Sequence, residues 1–244
     1  MLALLYDVHG NLAALEAVIG DAEAAGADGW VIGGDVSAFG GWPEETLARL
    51  RELPDARWLR GNHERWAREP ETIPPVPLAV HGRAAWVDAL GGPDAPDVRA
   101  LYELPTWQPI PGGEAWHGSP RSDMDGFLPD PSPGEVDLLE GRTPGLLVVG
   151  HTHVPVHRDV VRPDGGRTTI FNPGSVGLPF DDDPRAAYGL LRPDGHVESR
   201  RVDYDVERAV ARQRERWGDA PWSGVVARTL QNGHPATDRE QQDA

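Results

Sequence analysis

Leu2-Ala3-Leu4-Leu5-Tyr6-Asp7-Val8-His9-Gly10-Asn11 opens the chain with an apolar run that stops at an acid, a histidine and a glycine. Such a run, bounded by glycine, reads as a buried strand over 2–6 followed by a turn over 7–10. It lacks the basic start of a signal peptide and meets an acid too early to be one. Asn11 is a natural N-cap, and Leu12, Leu15, Val18, Ile19 and Ala22 recur at helical spacing before Gly26, which predicts a helix over about 12–25. The pattern then repeats. An apolar run over 29–33 ends in Gly34-Asp35, Pro43-Glu44-Glu45 opens a second helix, and a third run over 56–60 ends in Gly61-Asn62-His63-Glu64. Strand, polar turn, helix, repeated, is the signature of βαβ units and a largely parallel sheet.

Outward from that block the chain is less regular. Residues 70–113 are rich in Pro and Gly, with a short helix expected near 83–90. Further apolar runs at 114–117, 145–149 and 168–171 each end in a polar or glycine-rich turn. Runs over 185–191 and 196–202 flank Arg192-Pro193-Asp194-Gly195, a hairpin signal, and an amphipathic helix is expected over 205–217. From 220 the apolar content drops, so the expectation is one domain over 1–219 and a loosely ordered tail over 220–244. No internal repeat stands out.

Composition narrows the function. With 244 residues, 39% hydrophobic and 25% charged, the chain is globular and forms one or at most two domains. There is no cysteine, which excludes disulfides, thiolate metal sites and cysteine nucleophiles. All 23 basic residues are Arg, which excludes Schiff-base lysines and a P-loop lysine. A net charge of −16 gives no global footprint for duplex nucleic acid or an anionic membrane, and no apolar run approaches the ~20 residues of a membrane span. A cytoplasmic protein acting on a small molecule is expected; the oligomeric state is not legible.

The chemistry lies where polar residues follow apolar runs. Asp7 and His9 follow the first strand, Asp35 the second, and Asn62 and His63 the third. His117 ends Glu114-Ala115-Trp116, and His151 and His153 follow Leu146-Leu147-Val148-Val149-Gly150. In open α/β sheets ligands bind at the carboxyl ends of strands, so these five ends can converge on one site. Mixed imidazole and carboxylate donors suit Mn, Fe, Zn or Co. Seven such donors exceed one tetrahedral ion and suit two ions sharing a carboxylate, an arrangement that clamps both ends of a displacement at phosphorus. Each block alone would be read as an ordinary turn; five of the nine histidines falling in these blocks argues against coincidence. His81, His157, His196 and His234 sit in no such setting and are read as structural or exposed. Asn172-Pro173-Gly174-Ser175 is either a buttress for the site or a tight turn. Most tryptophans, Trp42, Trp66 and Trp107 among them, are assigned to packing, and Asp181-Asp182-Asp183 to a solvated loop.

Asp7-x-His9, Gly34-Asp35, Gly61-Asn62-His63-Glu64, His117 and Gly150-His151-x-His153, in that order, resemble the calcineurin-like metallophosphoesterases. With Asn172-Pro173-Gly174-Ser175-Val176-Gly177 and Arg185-Ala186-Ala187-Tyr188, about residues 1–203 look similar to the small bacterial phosphodiesterase branch of that superfamily. The resemblance implies a four-layer α/β/β/α sandwich with two facing mixed sheets, and a phosphoric ester hydrolase using two divalent metal ions. Manganese stands first among these, with Fe, Zn, Co, Ni and Mg as the other choices. One ion would be held by Asp7, His9, Asp35 and His153, the other by Asp35, Asn62, His117 and His151, with Asp35 bridging. A bridging hydroxide would attack phosphorus, and His63 would stabilise the transition state or protonate the leaving oxygen. Arg60 and Arg121 are offered as phosphate contacts only because they lie near these blocks in sequence. In protein phosphatases of this superfamily the Gly-Asp block continues into Asp-Arg-Gly; here Val36-Ser37-Ala38-Phe39-Gly40 follows instead. Small phosphodiesters or nucleotides are therefore favoured over a phosphomonoesterase or protein phosphatase. A non-catalytic interaction scaffold would have lost ligands that this chain keeps, and an amidohydrolase fits the Gly61-Asn62-His63-Glu64 block poorly.

Overall fold

A computed structural model describes residues 1–243 of the chain. The opening block folds as read: β1 (Leu2–Leu5), α1 (Leu12–Ala24), β2 (Gly29–Ile32), α2 (Pro43–Arg51), β3 (Ala56–Trp58) and the short α3 (Asn62–Trp66). The middle holds α4 (Pro77–Ala89), α5 (Pro96–Tyr102), β4 (Trp107–Ile110) and β5 (Gly113–Trp116). There follow β6 (Leu146–Val148), β7 (Val156–Val161), β8 (Arg167–Asn172), β9 (Ala186–Leu191) and β10 (Val197–Val202), then α6 (Val206–Trp217), α7 (Pro221–Asn232) and α8 (Asp238–Asp243).

The strands form two five-stranded mixed sheets, ordered β10-β9-β1-β2-β3 and β4-β5-β6-β8-β7. Strands β1, β2 and β3 are parallel, as are β5, β6 and β8; β9–β10 and β4 and β7 complete the sheets in antiparallel sense. The sheets face each other. Leu4, Tyr6, Val31 and Leu59 from the first meet Ala115, Leu146, Val148 and Phe171 from the second in one buried cluster. The alternate residues Ala3, Leu5, Trp30 and Ile32 point the other way and pack with Leu15, Val18, Ile19, Leu47 and Leu50 of α1 and α2. Both faces of β1 are covered, which is why its sequence is an unbroken apolar run rather than an alternating one. The outer face of the second sheet is covered more thinly. Leu147, Val149, Val160 and Ile170 lie under Phe127 and a short 3₁₀ helix at Glu135–Leu139.

Local signals explain the helix starts. The Asn11 side chain accepts the Ala14 N–H at 3.2 Å and caps α1. Proline occupies the first turn of α2, α4, α5 and α7, where its missing N–H costs nothing. The segment 70–113 is more helical than expected, because Trp86 and Val87 of α4 and Val98 and Leu101 of α5 bury against the α1–α2 layer.

The loose tail expected over 220–244 is corrected by the structure. Residues 221–232 form α7, and Trp222, Val225, Val226 and Leu230 recur on one face, buried with Trp42, Leu178 and Val210. The apolar stripe is short and diluted by polar neighbours, so average composition hid it. Of that expected tail, Ala244 lies outside the described residues. Among the described residues no helix is long and apolar enough to cross a membrane.

Candidate metal centre

The carboxyl ends of β1, β2, β3, β5 and β6 meet at one side of the facing sheets. There the structure brings together all seven predicted metal-ligand side chains and His63. Asp35 Oδ2 lies 3.5 Å from His117 Nε2 and 3.9 Å from the Nε2 atoms of both His9 and His63. Asp7 Oδ1 lies 3.6 Å from His153 Nε2 and 4.0 Å from His117 Nδ1. Asn62 Oδ1 stands 2.9 Å from both His117 Nε2 and His151 Nδ1. Three groupings are tight enough to hold an ion: Asp7-His9-His153, His9-Asp35-His63 and Asp7-Asp35-His117. His63 therefore sits within ligand reach as well as beside the ligands.

The hydrogen bonds around the cluster fix what faces inward. His9 Nδ1 points to the Ala38 carbonyl at 3.2 Å, His117 Nδ1 to that of Gly33 at 2.8 Å, and His153 Nδ1 to that of Leu178 at 2.5 Å. A carbonyl only accepts, so each Nδ1 carries the proton and each Nε2 presents a lone pair. The consequence is a set of acceptors facing acceptors: His9 Nε2 is 3.1 Å from His153 Nε2, and His117 Nε2 faces the Asn62 amide oxygen. Asp7 Oδ1 is buried with no hydrogen-bond partner. Converging lone pairs without a proton between them are what a cation holds together, so the donor set fits divalent metal.

Burial makes the same point electrostatically. It pushes the Asp7 carboxyl up to about 8, and the nearby Asp35 carboxylate adds to this. It pushes Asp35 up as well, with Glu64 reinforcing the shift. His9, His63 and His153 are held well below the usual imidazole range by burial and by one another, and burial brings His151 down to about 4. Neither sign of charge is comfortable here without a counter-charge.

Backbone geometry adds a cost. Asp7, His9, Asp35, His151 and His153 all adopt left-handed φ, between 48° and 67°. For non-glycine residues this costs about 1–3 kcal/mol each and persists only where the surroundings over-determine it. The surroundings do so. Glu64 is buried and accepts three backbone N–H groups: Gly61 at 2.7 Å, Asp35 at 2.9 Å and Val36 at 2.9 Å. Ser175 Oγ donates to the Asp7 carbonyl at 2.7 Å and accepts Leu178 N–H at 2.7 Å. Asn172 donates to the Gly150 carbonyl at 2.9 Å, so the Asn172–Ser175 turn buttresses the loops that carry Asp7 and His151. Gly34, at φ +92°, leaves room for the ring behind it: a Cβ there would meet His117 Nδ1 at 2.8 Å.

A cavity of about 560 Å³ opens over the cluster, lined by His9, Asp35, Asn62, His63, His151 and His153 on its floor. Arg60 and Arg121, the two candidate phosphate contacts, do not line it. They sit in a separate hollow on the other side of His117. Arg60 is turned to the sheet edge by the Tyr102 carbonyl at 3.1 Å, and Arg121 pairs with Asp125 at 3.4 Å. Sequence proximity missed this because it says nothing of side-chain direction, which these two contacts set. Sequence reasoning also left Glu64 without a role, although Gly61-x-x-Glu64 has the spacing of a capping box. The rings that flank His63, Phe39 at 4.8 Å and Trp66 at 4.6 Å between centroids, carried no separate signal. The acidic loop is paired and only partly solvated: Asp182 is exposed and meets His234 at 2.5 Å, while Asp181 and Asp183 are half-buried against Arg201 and Arg185.

Residues 7–155, which contain every residue of the cluster, match the family model of the calcineurin-like phosphoesterases. The chain is 26% identical over 226 residues to the uncharacterized protein MJ0912 of Methanocaldococcus jannaschii, covering 86% of this chain and 90% of that one. The crystal structure of a metallophosphoesterase from Sphaerobacter thermophilus superposes with a TM-score of 0.74 at 29% identity, covering 95% of this chain and 99% of that one. The hypothetical protein PH1004 of Pyrococcus horikoshii OT3 shares the fold, with a TM-score of 0.73 at 21% identity over 97% and 100% of the two chains. On the family match and the site it spans, the chain belongs to the calcineurin-like phosphoesterase family.

Proposed function

We propose that this phosphoesterase is a two-metal phosphodiesterase acting on small diesters. The observation that carries it is the ring of facing acceptors, His9 Nε2 against His153 Nε2 and Asn62 Oδ1 against His117 Nε2, arranged around two buried carboxyls. Asp7, His9, Asp35 and His153 would hold one divalent ion, and Asp35, Asn62, His117 and His151 a second. Bound divalent ions supply Lewis acidity toward the phosphoryl oxygens and make water nucleophilic at neutral pH.

The chain's own residues supply the rest. Asp35 serves both halves of the site, and its position is set by the N–H of His63 donating to Oδ1 at 3.0 Å and by Glu64 gripping its backbone. His63 lines the cavity between Phe39 and Trp66; its Nδ1 is buried without a hydrogen-bond partner, and its Nε2 stands 3.9 Å from Asp35 Oδ2. It is the group placed to pass a proton to the leaving oxygen. Among the described lining residues there is no Arg. A monoester dianion or a polyphosphate would find no side-chain cation beyond the metals, whereas a diester carries one negative charge. That supports the diester reading over a phosphomonoesterase or protein phosphatase.

The test is hydrolysis of bis(p-nitrophenyl) phosphate by the purified protein with Mn²⁺ and after chelation, alongside p-nitrophenyl phosphate and measured metal content. Metal-dependent turnover with the diester preferred supports the reading. A monoester preference, or two bound metals with no diester turnover, would overturn it.

A further inference from the structure

Above its polar floor the cavity changes character. Val76, Leu78 and Ala79 from the start of α4, Met124, Leu128, Leu178 and Pro235 form its wall. Met124 is 37% exposed and Leu128 51%. They are two of the five exposed large apolar side chains among the described residues, and both line this mouth. Such a patch beside a site marks a binding surface.

Polar side chains on the wall are few, Thr152 and Gln241, and each already holds one hydrogen bond. Thr152 Oγ1 accepts from Asn172 at 3.0 Å, and the Gln241 amide donates to the Ala236 carbonyl at 3.0 Å. A sugar would find only the Thr152 hydroxyl proton and the rest of the Gln241 amide on this wall. The aromatic rings of the lining pack on the floor: Phe180 stacks one face on His153 at 4.2 Å between centroids, and Phe39 and Trp66 both flank His63. A polyphosphate would lack a side-chain cation here.

Resting on the diesterase reading, we infer that the substrate is a monoanionic phosphodiester with an apolar, alkyl-type ester arm lying along Val76, Leu78, Met124 and Leu128. The apolar arm, not a nucleoside, is then what the enzyme selects. In the reaction water adds at phosphorus, the phosphorus–oxygen bond to the leaving alcohol breaks, and a phosphomonoester and an alcohol result.

The experiment compares methyl, butyl and octyl p-nitrophenyl phosphate with thymidine 5′-p-nitrophenyl phosphate on the Mn²⁺-loaded protein. Each methylene that the wall buries raises kcat/KM by about twofold to fourfold, so the butyl ester, three methylenes longer, exceeds the methyl ester by about 8- to 60-fold. In Leu128→Ser and Met124→Ser the octyl ester loses more than the methyl ester. Calorimetric binding of dimethyl and dibutyl phosphate gives the same comparison without turnover, with dibutyl phosphate the tighter ligand. Turnover that is flat with chain length, or a thymidine ester preferred to the butyl ester, overturns the apolar arm and leaves the diesterase standing. No turnover of any diester by the metal-loaded protein overturns the diesterase reading, and equal calorimetric affinities for the two dialkyl phosphates then overturn the apolar wall separately.

Discussion

Glu64 holds Asp35 by its backbone: the carboxylate at the start of α3 accepts the Asp35 N–H at 2.9 Å and bridges it to Gly61 at 2.7 Å. The loops after β2 and β3 are thereby tied at the point where the Asp35 carboxylate enters the cluster. Glu64 touches none of the facing ring nitrogens itself, so its effect passes through position.

Glu64→Ala leaves three buried N–H groups unpaired, and the left-handed backbone of Asp35 loses the contact that holds it. Loss of an outer partner of this kind typically costs 10–100-fold in metal affinity. Calorimetric Mn²⁺ titration of Glu64→Ala should show a loss in that range, with Glu64→Gln intermediate because one amide oxygen still accepts. Wild-type affinity in a folded Glu64→Ala protein would show that Asp35 is placed without it.

His63 has two readings that differ in metal content. It forms a tight grouping with His9 and Asp35, yet it also lines the cavity with Nδ1 unpartnered. As a proton donor, His63→Ala should keep both metals and slow turnover by about 10²–10⁴-fold. Inductively coupled plasma analysis of the variant separates the two: loss of one metal equivalent would make His63 a ligand instead.

The βαβ order, the strand-end donors and the capping at Asn11 were legible because each rests on local spacing. Asp7, His9, Asp35, Asn62, His63, His117, His151 and His153 all arrive in one cluster because each follows an apolar run, and strand ends on one side of two sheets must be neighbours. Three-dimensional relationships were not legible. Arg60 lies two residues from Asn62 and still faces the hollow beyond His117, since the side chain is drawn to Tyr102. The helical stripe Trp222, Val225, Val226 and Leu230 stands in a polar stretch where composition outweighed periodicity. The left-handed φ at five positions of the cluster had no sequence mark, since Asp and His replace the Gly that such backbone usually announces.

The α7 stripe carries its own test. Trp222 is 5% exposed and packs in the cluster with Trp42 and Leu178, with its ring 6.4 Å from that of Phe39, which in turn contacts His63. Trp222→Ala should destabilise by about 3–5 kcal/mol, lowering Tm by roughly 6–20 °C for a chain of this size. Trp222→Phe should recover much of it. Differential scanning calorimetry on the metal-loaded protein reads this directly; a change under 1 °C would mean that α7 is not part of the folded core.

The pH dependence of the metal-free protein has a worked sign. His9, His63, His151 and His153 are depressed from an ordinary 6.5, His151 to about 4. Below 6.5 the unfolded chain binds more protons at these sites than the folded one, so their contribution to stability grows as pH rises and is complete near 6.5. Asp7 runs the other way. Its folded value is raised from 3.8 to about 8, so the folded state holds the extra proton and stability is lost as pH climbs through about 8. Asp35 is raised too and adds to the loss. Chelator-stripped protein should therefore show its highest Tm near pH 6.5 and a declining Tm from there to pH 8. Saturating Mn²⁺ should abolish that decline, because the cation replaces the proton on Asp7, and loading below pH 8 should release protons measurable in weakly buffered solution. Asp7→Asn should flatten part of the decline in the stripped protein. A stripped protein whose Tm still rises from pH 6.5 to 8 would contradict a protonated carboxyl in the empty cluster.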